Sequence, residues 1–325
     1  MKRQSHLSKV SIARRSRVSI VRAELILLLW LLLPAMAHAA QQATFSSADK
    51  AVESLISAVR ARNNDQIMTV LGPEAGAIMF SGDAVADRNM LDNFLKAYDE
   101  KHRLVAAKKG SMNLVVGTND WPMPIPIVRN AGKWRFDTRA GKEEILNRRI
   151  GRNEISAIKT CLAVLDAQRE YLSRIGSAAG LHEYAARFIS EQGKKNGLYW
   201  PTGPNEQPSP LGPLAAEAAQ EGYKAGQSSR GESRPFYGYR FRMLTRQGNN
   251  APGGALDYMV NGKLIGGFAI IAWPADYGNS GIMTFIMNHD GIVYQQNLGQ
   301  ATAKTASEIN AYDPGPKWKR AEPRK

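Results

Sequence analysis

Two carboxylates in the C-terminal half, Asp257 and Asp276, are the side chains whose type and surroundings are best suited to chemistry. Each lies within a few residues of aromatic and glycine residues. A pair of carboxylates can serve as acid and base in the hydrolysis of a glycosidic bond, and carboxylate oxygens also bind Ca²⁺. Their spacing in the sequence selects neither chemistry, so both residues are candidates for catalysis and for Ca²⁺ binding.

Aromatic side chains beside small residues are the other feature that is typical of a binding site. Such surfaces contact glycans, peptides and other ligands. The packing of a thin sheet onto a helix would produce the same enrichment, and we favour that explanation. If the surface does bind a ligand, the residues expected to contact it are Tyr199, Trp200, Tyr258, Trp273 and Tyr277.

Residue types that hold metals or act as nucleophiles are scarce after residue 39. Three histidines remain, His102, His182 and His289, and none has the spacing of a zinc site. Cys161 is the single cysteine, which excludes an intramolecular disulfide, and its apolar neighbours predict a buried side chain. Because there is also no phosphate-binding loop and no nucleophile elbow, the sequence predicts no metal and no cofactor.

The first 39 residues have the pattern of a secretory signal. Seven basic residues precede the apolar run 25–37, and the small residues Ala37 and Ala39 flank His38. This order of a basic region, a short apolar region and a small-residue step predicts cleavage after Ala39. The apolar run is shorter than the ~20 residues of a membrane-spanning helix. We therefore expect a periplasmic or secreted protein with no integral membrane span after cleavage.

The net charge limits the classes of partner. The chain has 43 basic and 29 acidic side chains, a net charge of +14, but residues 1–39 contribute seven of the basic and one of the acidic ones. Removing them leaves a net charge of +8. Because no nucleic-acid-binding motif is recognisable, we expect no nucleic-acid partner. Residues 313–325 form a basic tail that could touch anionic lipid or polymer, but a solvated chain end is the favoured interpretation.

The elements of the N-terminal half are predicted from the period of its apolar residues. Helical spacing begins after the capping residues Ser46 and Ser47 and returns further along the chain. Alternating residues follow from Met112, and the segment 130–132 predicts a hairpin turn. Residues 46–140 are therefore expected to form an α+β domain of helices followed by a curved antiparallel sheet. This order resembles the nuclear transport factor 2-like folds.

A second α+β domain is predicted at residues 151–312, because the pattern changes at Gly141–Gly151. A long amphipathic helix is expected over residues 153–172. The stretch 173–235 is rich in Gly, Pro, Ser and Ala, and a helical pattern, Tyr184, Phe188 and Ile189, crosses its start.

The remainder of this second domain is predicted to be a sheet. Residues 267–273 form a nearly continuous apolar run, which is typical of a central strand. Asp290-Gly291 predicts the turn of a hairpin between two further strands. The C-terminal half is therefore expected to be one long helix packed on an antiparallel sheet.

Six blocks of the C-terminal half have a distinctive combination of residues. They are 197–201, 251–255, 267–275, 276–281, 283–285 and 290–294. Together these blocks resemble an exported bacterial family, domain-of-unknown-function family 2950, and the similarity extends over nearly the whole mature chain. The family carries no established activity, so the resemblance implies location and architecture but no reaction. Its members often have an acidic Asp-Gly-rich stretch where this chain has Ser177-Ala178-Ala179-Gly180, so no cation site is expected there.

The helix pattern that begins Asn153-Glu154-Ile155 and the hairpin at Asp290 also resemble the soluble domain of type IV pilins and pseudopilins. In those proteins a long helix packs across an antiparallel sheet. The membrane half of a pilin helix is missing here and a folded domain stands in its place. The resemblance therefore implies an architecture and does not imply polymerisation.

These observations predict an exported periplasmic protein that acts as a non-catalytic binding, accessory or scaffold protein of the cell envelope. Its expected partner is an envelope protein or polymer. The alternative is a hydrolase that acts on an envelope polymer, with a carboxylate pair such as Asp257 and Asp276 as acid and base. A structure distinguishes the two, because an enzyme needs convergent polar groups in a cleft.

Overall fold

The computed structural model describes residues 42–177, 180, 182–224 and 234–321. The predicted signal peptide, its cleavage site after Ala39 and the last four residues of the basic tail lie outside the described residues.

The described residues form helices and antiparallel strands in the following order. The helices are α1 (Ala48–Arg60), α2 (Asn64–Leu71), α3 (Ala75–Met79), α4 (Ala84–Glu100), α5 (Thr138–Tyr171), α6 (Gly212–Gln220) and α7 (Thr302–Glu308). The strands are β1 (His102–Ala106), β2 (Met112–Val116), β3 (Trp121–Pro122), β4 (Ile127–Asn130), β5 (Lys133–Phe136), β6 (Tyr239–Leu244), β7 (Arg246–Gln247), β8 (Leu256–Asp257), β9 (Met259–Val260), β10 (Lys263–Leu264), β11 (Ala269–Pro274), β12 (Met283–Asn288), β13 (Tyr294–Asn297) and β14 (Lys319–Arg320).

The N-terminal half packs helices α1 to α4 against a five-stranded sheet. Its strand order is β1-β2-β4-β5, with β3 paired to β2. The side chain of Ser47 caps α1 by accepting a hydrogen bond from the Lys50 amide. Strands β4 and β5 form the predicted hairpin, in which Ala131 and Gly132 both have the positive φ that a tight two-residue turn requires. The core between the layers contains Leu55, Ile67, Leu114, Ile127 and Phe136.

Helix α5 links the two halves, and it begins earlier than the sequence predicts. It starts at Thr138, where the Asp137 side chain caps the Ala140 amide, rather than at Asn153. Gly141 lies inside this helix and is buried. A Cβ atom at this position would be only 2.6 Å from the Pro124 carbonyl oxygen, so the site has no room for a side chain. The glycine therefore permits a close approach of helix and sheet instead of ending an element.

The C-terminal half packs the second part of α5 on a five-stranded antiparallel sheet of order β14-β13-β12-β11-β6. Strand β11 is an interior strand, paired with β12 on one side and β6 on the other, as its apolar run predicts, and its residues Ala269–Ala272 are fully buried. Strands β12 and β13 form the predicted hairpin pair around Asp290. Two small ribbons, β7 with β8 and β9 with β10, lie outside this sheet. The core on this side includes Cys161, Leu198, Tyr239, Phe268 and Phe285.

The α+β class is confirmed, and so is the order of helices before sheet in each half. The finer likeness to nuclear transport factor 2-like folds and to pilin soluble domains stays a prediction. The division into two domains, at residues 46–140 and 151–312, also stays a prediction. Each half has its own hydrophobic core, but α5 runs through the expected boundary and contributes to both. Among the helices in the described ranges, none is long and apolar enough to cross a membrane.

Candidate functional site

A cavity of about 570 Å³ lies between the N-terminal helices, the edge of the first sheet and helix α5. Its volume falls within the range of roughly 300–1,000 Å³ that is typical of small-molecule sites. The residues that line it come from both halves of the chain, from Leu55 in α1 to Tyr237 just before β6.

One wall of the cavity is apolar. It consists of side chains from α1 to α4 and from the segment around β3, namely Leu55, Val59, Ile67, Leu71, Ile78, Met79, Met90, Leu91, Phe94, Trp121, Met123 and Ile125. Many of these residues also belong to the N-terminal hydrophobic core, so the cavity is an opening in that core. A ligand placed there would exchange water for hydrocarbon and methionine contacts.

The part of the lining that comes from α5 is polar and belongs to one face of that helix. The contributing residues are Ile145, Arg148, Arg149, Arg152, Asn153 and Ser156. Their spacing of three, four, seven and eight residues is that of a single helix face. Because five of these six side chains are polar and three carry a positive charge, the cavity is amphipathic, with hydrocarbon on one side and guanidinium groups on the other.

Arg149 is the buried member of the three arginines, with 6% of its surface exposed. Its guanidinium donates to the carbonyl oxygens of Ala77, at 3.1 Å, and Ile78, which lie in the last turn of α3, and to the side-chain oxygen of Asn279. Burial lowers the pKa of Arg149, and the charge of Asp87 partly opposes that shift. Since its donors are occupied by the protein, Arg149 fixes α5 against α3 and the loop before β12.

Arg148 and Arg152 are the two arginines of this wall that remain accessible to solvent. The Arg148 Nε atom donates to the Glu144 carboxylate at 2.6 Å, one helical turn earlier. Within the described part of the chain, Arg152 makes no hydrogen bond and no ion pair. Burial and the like charge of Arg148 lower the pKa of Arg152. The cavity wall therefore carries a guanidinium that no described residue neutralises.

Acidic side chains at the cavity are Asp87 and Glu221. Both oxygens of Asp87 accept a hydrogen bond from the Ser81 amide, the closer one at 3.0 Å. Burial raises the pKa of Asp87, although Ser81 and the charge of Arg149 oppose the shift. Glu221 is exposed at the end of α6, and its carbonyl oxygen accepts from the Asn89 side chain.

Two tyrosines, Tyr223 and Tyr237, complete the lining and attach the C-terminal half to α4. The Tyr223 hydroxyl donates to Oδ2 of Asp83 at 3.0 Å, and the Gly238 amide donates to the same oxygen at 2.8 Å. The two tyrosine rings pack edge to face with centroids 5.5 Å apart. Tyr237 has a φ of +48°, an uncommon conformation for a bulky residue that local contacts must stabilise.

The two carboxylates singled out by the sequence lie elsewhere. Asp257, in β8, is exposed and accepts a hydrogen bond from the Met259 amide at 2.9 Å. Asp276, in the loop after β11, is exposed and accepts from the Asn279 side chain at 2.9 Å. Each carboxylate is therefore engaged within its own turn, and the two share no hydrogen-bond partner among the described residues.

The predicted ligand-contact aromatics do not line the cavity. Trp200 and Tyr258 are buried, and the Tyr258 hydroxyl donates to the Gln247 side chain at 2.6 Å. The rings of Trp200 and Tyr258 belong to the C-terminal core, and a ligand-contact role for them stays a prediction. Tyr199, Trp273 and Tyr277 are partly buried.

The cavity residues were missed from the sequence because none is unusual in its own segment. The signal that could have found them is the triplet Arg148, Arg149 and Arg152, which places three cations on adjoining turns of one helix. In the described ranges, no group of three or more His, Cys, Asp and Glu side chains could hold a metal ion.

Similarity to known proteins is found at the level of a family. A family model described as "Protein of unknown function (DUF2950)" matches residues 42–321. The matched range includes every residue that lines the cavity. No curated protein and no solved structure matches the chain.

Proposed function

The chain belongs to the DUF2950 family of proteins of unknown function, and from its cavity we propose that it is an exported, non-catalytic binding protein of the cell envelope. The observation that carries this proposal is the cavity itself, about 570 Å³ in volume, with an apolar wall facing a cationic one. A cavity of this size takes a small molecule. The envelope protein or polymer expected from the sequence would be a second partner, and it stays a prediction.

The chemistry of the lining favours binding over catalysis. Asp87 accepts from the Ser81 amide, and Arg149 is occupied by carbonyl oxygens of α3. A catalytic base needs a nucleophile or a substrate proton within hydrogen-bond reach. The alternative is a hydrolase that uses Asp257 and Asp276. Their contacts do not support it, because each carboxylate accepts its hydrogen bond from a residue two or three positions along the chain, within its own turn.

Export is proposed from the sequence pattern of residues 1–39. Amino-terminal sequencing of the protein recovered from the envelope fraction should begin at or near Ala40. Full-length chain retained in the cytosol would contradict the proposal.

The likeness to a pilin soluble domain is also part of the proposal, supported by the packing of α5 across β11 and β12.

Blocking the cavity tests the binding function. Ala86 lines the cavity from α4, whereas Ala84 is exposed in the first turn of the same helix and does not line it. Ala86→Trp should weaken the binding of a neutral apolar fluorophore, 1-N-phenylnaphthylamine, by about tenfold or more, a loss of ~1.4 kcal/mol. Ala84→Trp is the matched control and should bind as the unaltered protein does.

Fluorescence titration measures both variants, and circular dichroism confirms that each is folded. Equal binding by the unaltered protein and Ala86→Trp would overturn the proposal, as would a complete failure of the unaltered protein to bind the fluorophore. A loss of binding in both variants would mean that bulk on α4, rather than a filled cavity, is responsible.

A further inference from the structure

We propose that the ligand of this cavity is an anionic amphiphile, with a hydrocarbon body against the apolar wall and an oxyanion headgroup held by Arg152 and Arg148. This inference rests on the proposed binding function and names the ligand class. The headgroup chemistry shared by candidate ligands is a carboxylate or a phosphate, both of which match the planar donor fork of arginine.

The first step of the argument is the placement of the charges. Arg148 and Arg152 are four residues apart, so they lie one above the other on the face of α5 that lines the cavity. A like-charge pair at this spacing destabilises a helix. Glu144 binds Nε of Arg148, which leaves its Nη atoms available, and Arg152 has no partner in the described residues. An oxyanion between the two guanidinium groups would remove the repulsion.

The second step is the charge balance of the whole lining. Three arginines face the cavity, and the acidic residues that line it are Asp87 and Glu221. Arg149 adds a buried positive charge that forms no ion pair with a described carboxylate, since its partners are carbonyl and amide oxygens and the Met90 sulfur. Fixed positive charge in a low-dielectric recess attracts an anion more strongly than it would in water. The same charge disfavours a cationic headgroup.

The third step is the opposite wall. Most of its side chains are aliphatic, methionine or aromatic, with Asn89 and Asn93 as polar members from α4, and they include the partly exposed rings of Phe94 and Trp121. A small polar anion such as free phosphate would leave this surface in contact with water. A ligand with a hydrocarbon body would cover it, and burying that apolar surface would favour binding. A ligand that matches both walls therefore has a hydrocarbon body and an anionic headgroup in one molecule.

Calorimetric titration with three probes that share a twelve-carbon chain separates the headgroup from the body. The probes are dodecanoate, dodecan-1-ol and dodecyltrimethylammonium, the two ions below their critical micelle concentrations and the alcohol below its solubility limit. The unaltered protein should bind dodecanoate about tenfold more tightly than the alcohol, and the ammonium compound most weakly. Dodecyl phosphate, as a fourth probe, shows which oxyanion the site prefers.

Charge-removing variants test the assigned residues. Arg152→Gln, alone and combined with Arg148→Gln, should weaken dodecanoate binding by about tenfold or more and leave the alcohol unchanged. Lys159→Gln removes a charge from an exposed residue of the same helix that does not line the cavity, and it should change neither affinity. Added salt should weaken dodecanoate binding only, because it screens the guanidinium charges.

Three results would overturn the inference. The first is equal affinity for all headgroups, and the second is an equal loss of dodecanoate binding in Lys159→Gln. The third is a loss of alcohol binding in Arg152→Gln, which would make that residue structural. If any of these results is found but Ala86→Trp still abolishes binding, the anionic ligand is wrong and the cavity remains a binding site. If no probe binds, including the neutral fluorophore, both the ligand class and the proposed binding function are wrong.

Discussion

Asp83 joins the two halves of the chain at the cavity, and its removal should destabilise the protein far more than the loss of a helix cap. The side chain is buried, with 2% of its surface exposed. Its Oδ1 atom caps α4 by accepting from the amides of Val85 and Ala86, both at 3.1 Å. Its Oδ2 atom accepts from the Gly238 amide and the Tyr223 hydroxyl.

The expected cost of Asp83→Ala follows from these four bonds. Loss of an N-cap costs ~1 kcal/mol. A buried donor left without a partner costs about 1–3 kcal/mol, and the Gly238 amide would be such a donor. The loss of the Tyr223 hydroxyl bond adds ~1 kcal/mol. The sum, about 3–5 kcal/mol, is a large part of the 5–15 kcal/mol by which domains are usually stable.

Two variants isolate the parts of this cost. Ser47→Ala removes the N-cap bond of α1 to the Lys50 amide and should cost only ~1 kcal/mol. Tyr223→Phe keeps the ring but removes the hydroxyl bond to Asp83 and the hydroxyl that accepts from the Tyr237 amide at 3.3 Å, so it should cost ~1–2 kcal/mol. Urea denaturation followed by circular dichroism gives the free energy of unfolding of each protein. If Asp83→Ala costs no more than Ser47→Ala, the bonds across the two halves contribute nothing and the reasoning is refuted.

Three further predictions concern the cores and the cavity. Phe285→Ala should cost ~3–5 kcal/mol in urea denaturation because the ring is fully buried; a loss below ~1 kcal/mol would contradict its place in the core. Cys161, also fully buried with a pKa raised to about 12, should react with iodoacetamide only after unfolding, and rapid alkylation of the folded protein would be contrary evidence. Asp87→Asn should raise stability near neutral pH and lose this advantage below the ordinary carboxyl pKa of 3.8, because burial raises the folded-state pKa of Asp87 and ionisation then opposes folding. Urea midpoints at both pH values measure the difference, and a gain that persists in acid would exclude the ionisation as its cause.

Local signals were sufficient for the hairpins and most of the helices. The turns at Ala131-Gly132 and at Asp290-Gly291 were predicted from short-range residue preferences alone, and strands flank both in the structure. The Ser47 cap was predicted for the same reason. Such features depend on a few neighbouring residues, so the sequence carries them directly.

Elements that depend on distant contacts were misjudged. The first turns of α5 are mostly polar, and they are stabilised by contacts such as the Arg149 bond to the Ala77 carbonyl, which is 72 residues away in sequence. The helix predicted from the spacing of Tyr184, Phe188 and Ile189 is wrong, because no helix forms at these described residues. Tyr184 forms a β-bridge with Leu264, and Ile189 forms one with Tyr199, so tertiary pairing overrides the local spacing there.

The candidate site was out of reach of the sequence for a related reason. Apolar lining residues are indistinguishable in sequence from core residues, because an opening in a core uses the same side chains as the core itself. The sequence instead drew attention to Asp257, Asp276 and the aromatics, which cluster along the chain. Of those aromatics, Trp200 and Tyr258 serve the C-terminal core.

Helix α5 gives the cavity and the stability of the chain a common physical basis. Its first half presents Arg148 and Arg152 to the cavity, and its second half is buried in the C-terminal core through residues such as Cys161 and Val164. Between them Arg149 holds α3 and the loop at Asn279. A ligand that binds only the folded state stabilises it in proportion to its affinity. An anion at α5 would therefore stabilise the contacts of both halves at once, because the same helix holds the headgroup and spans the two cores.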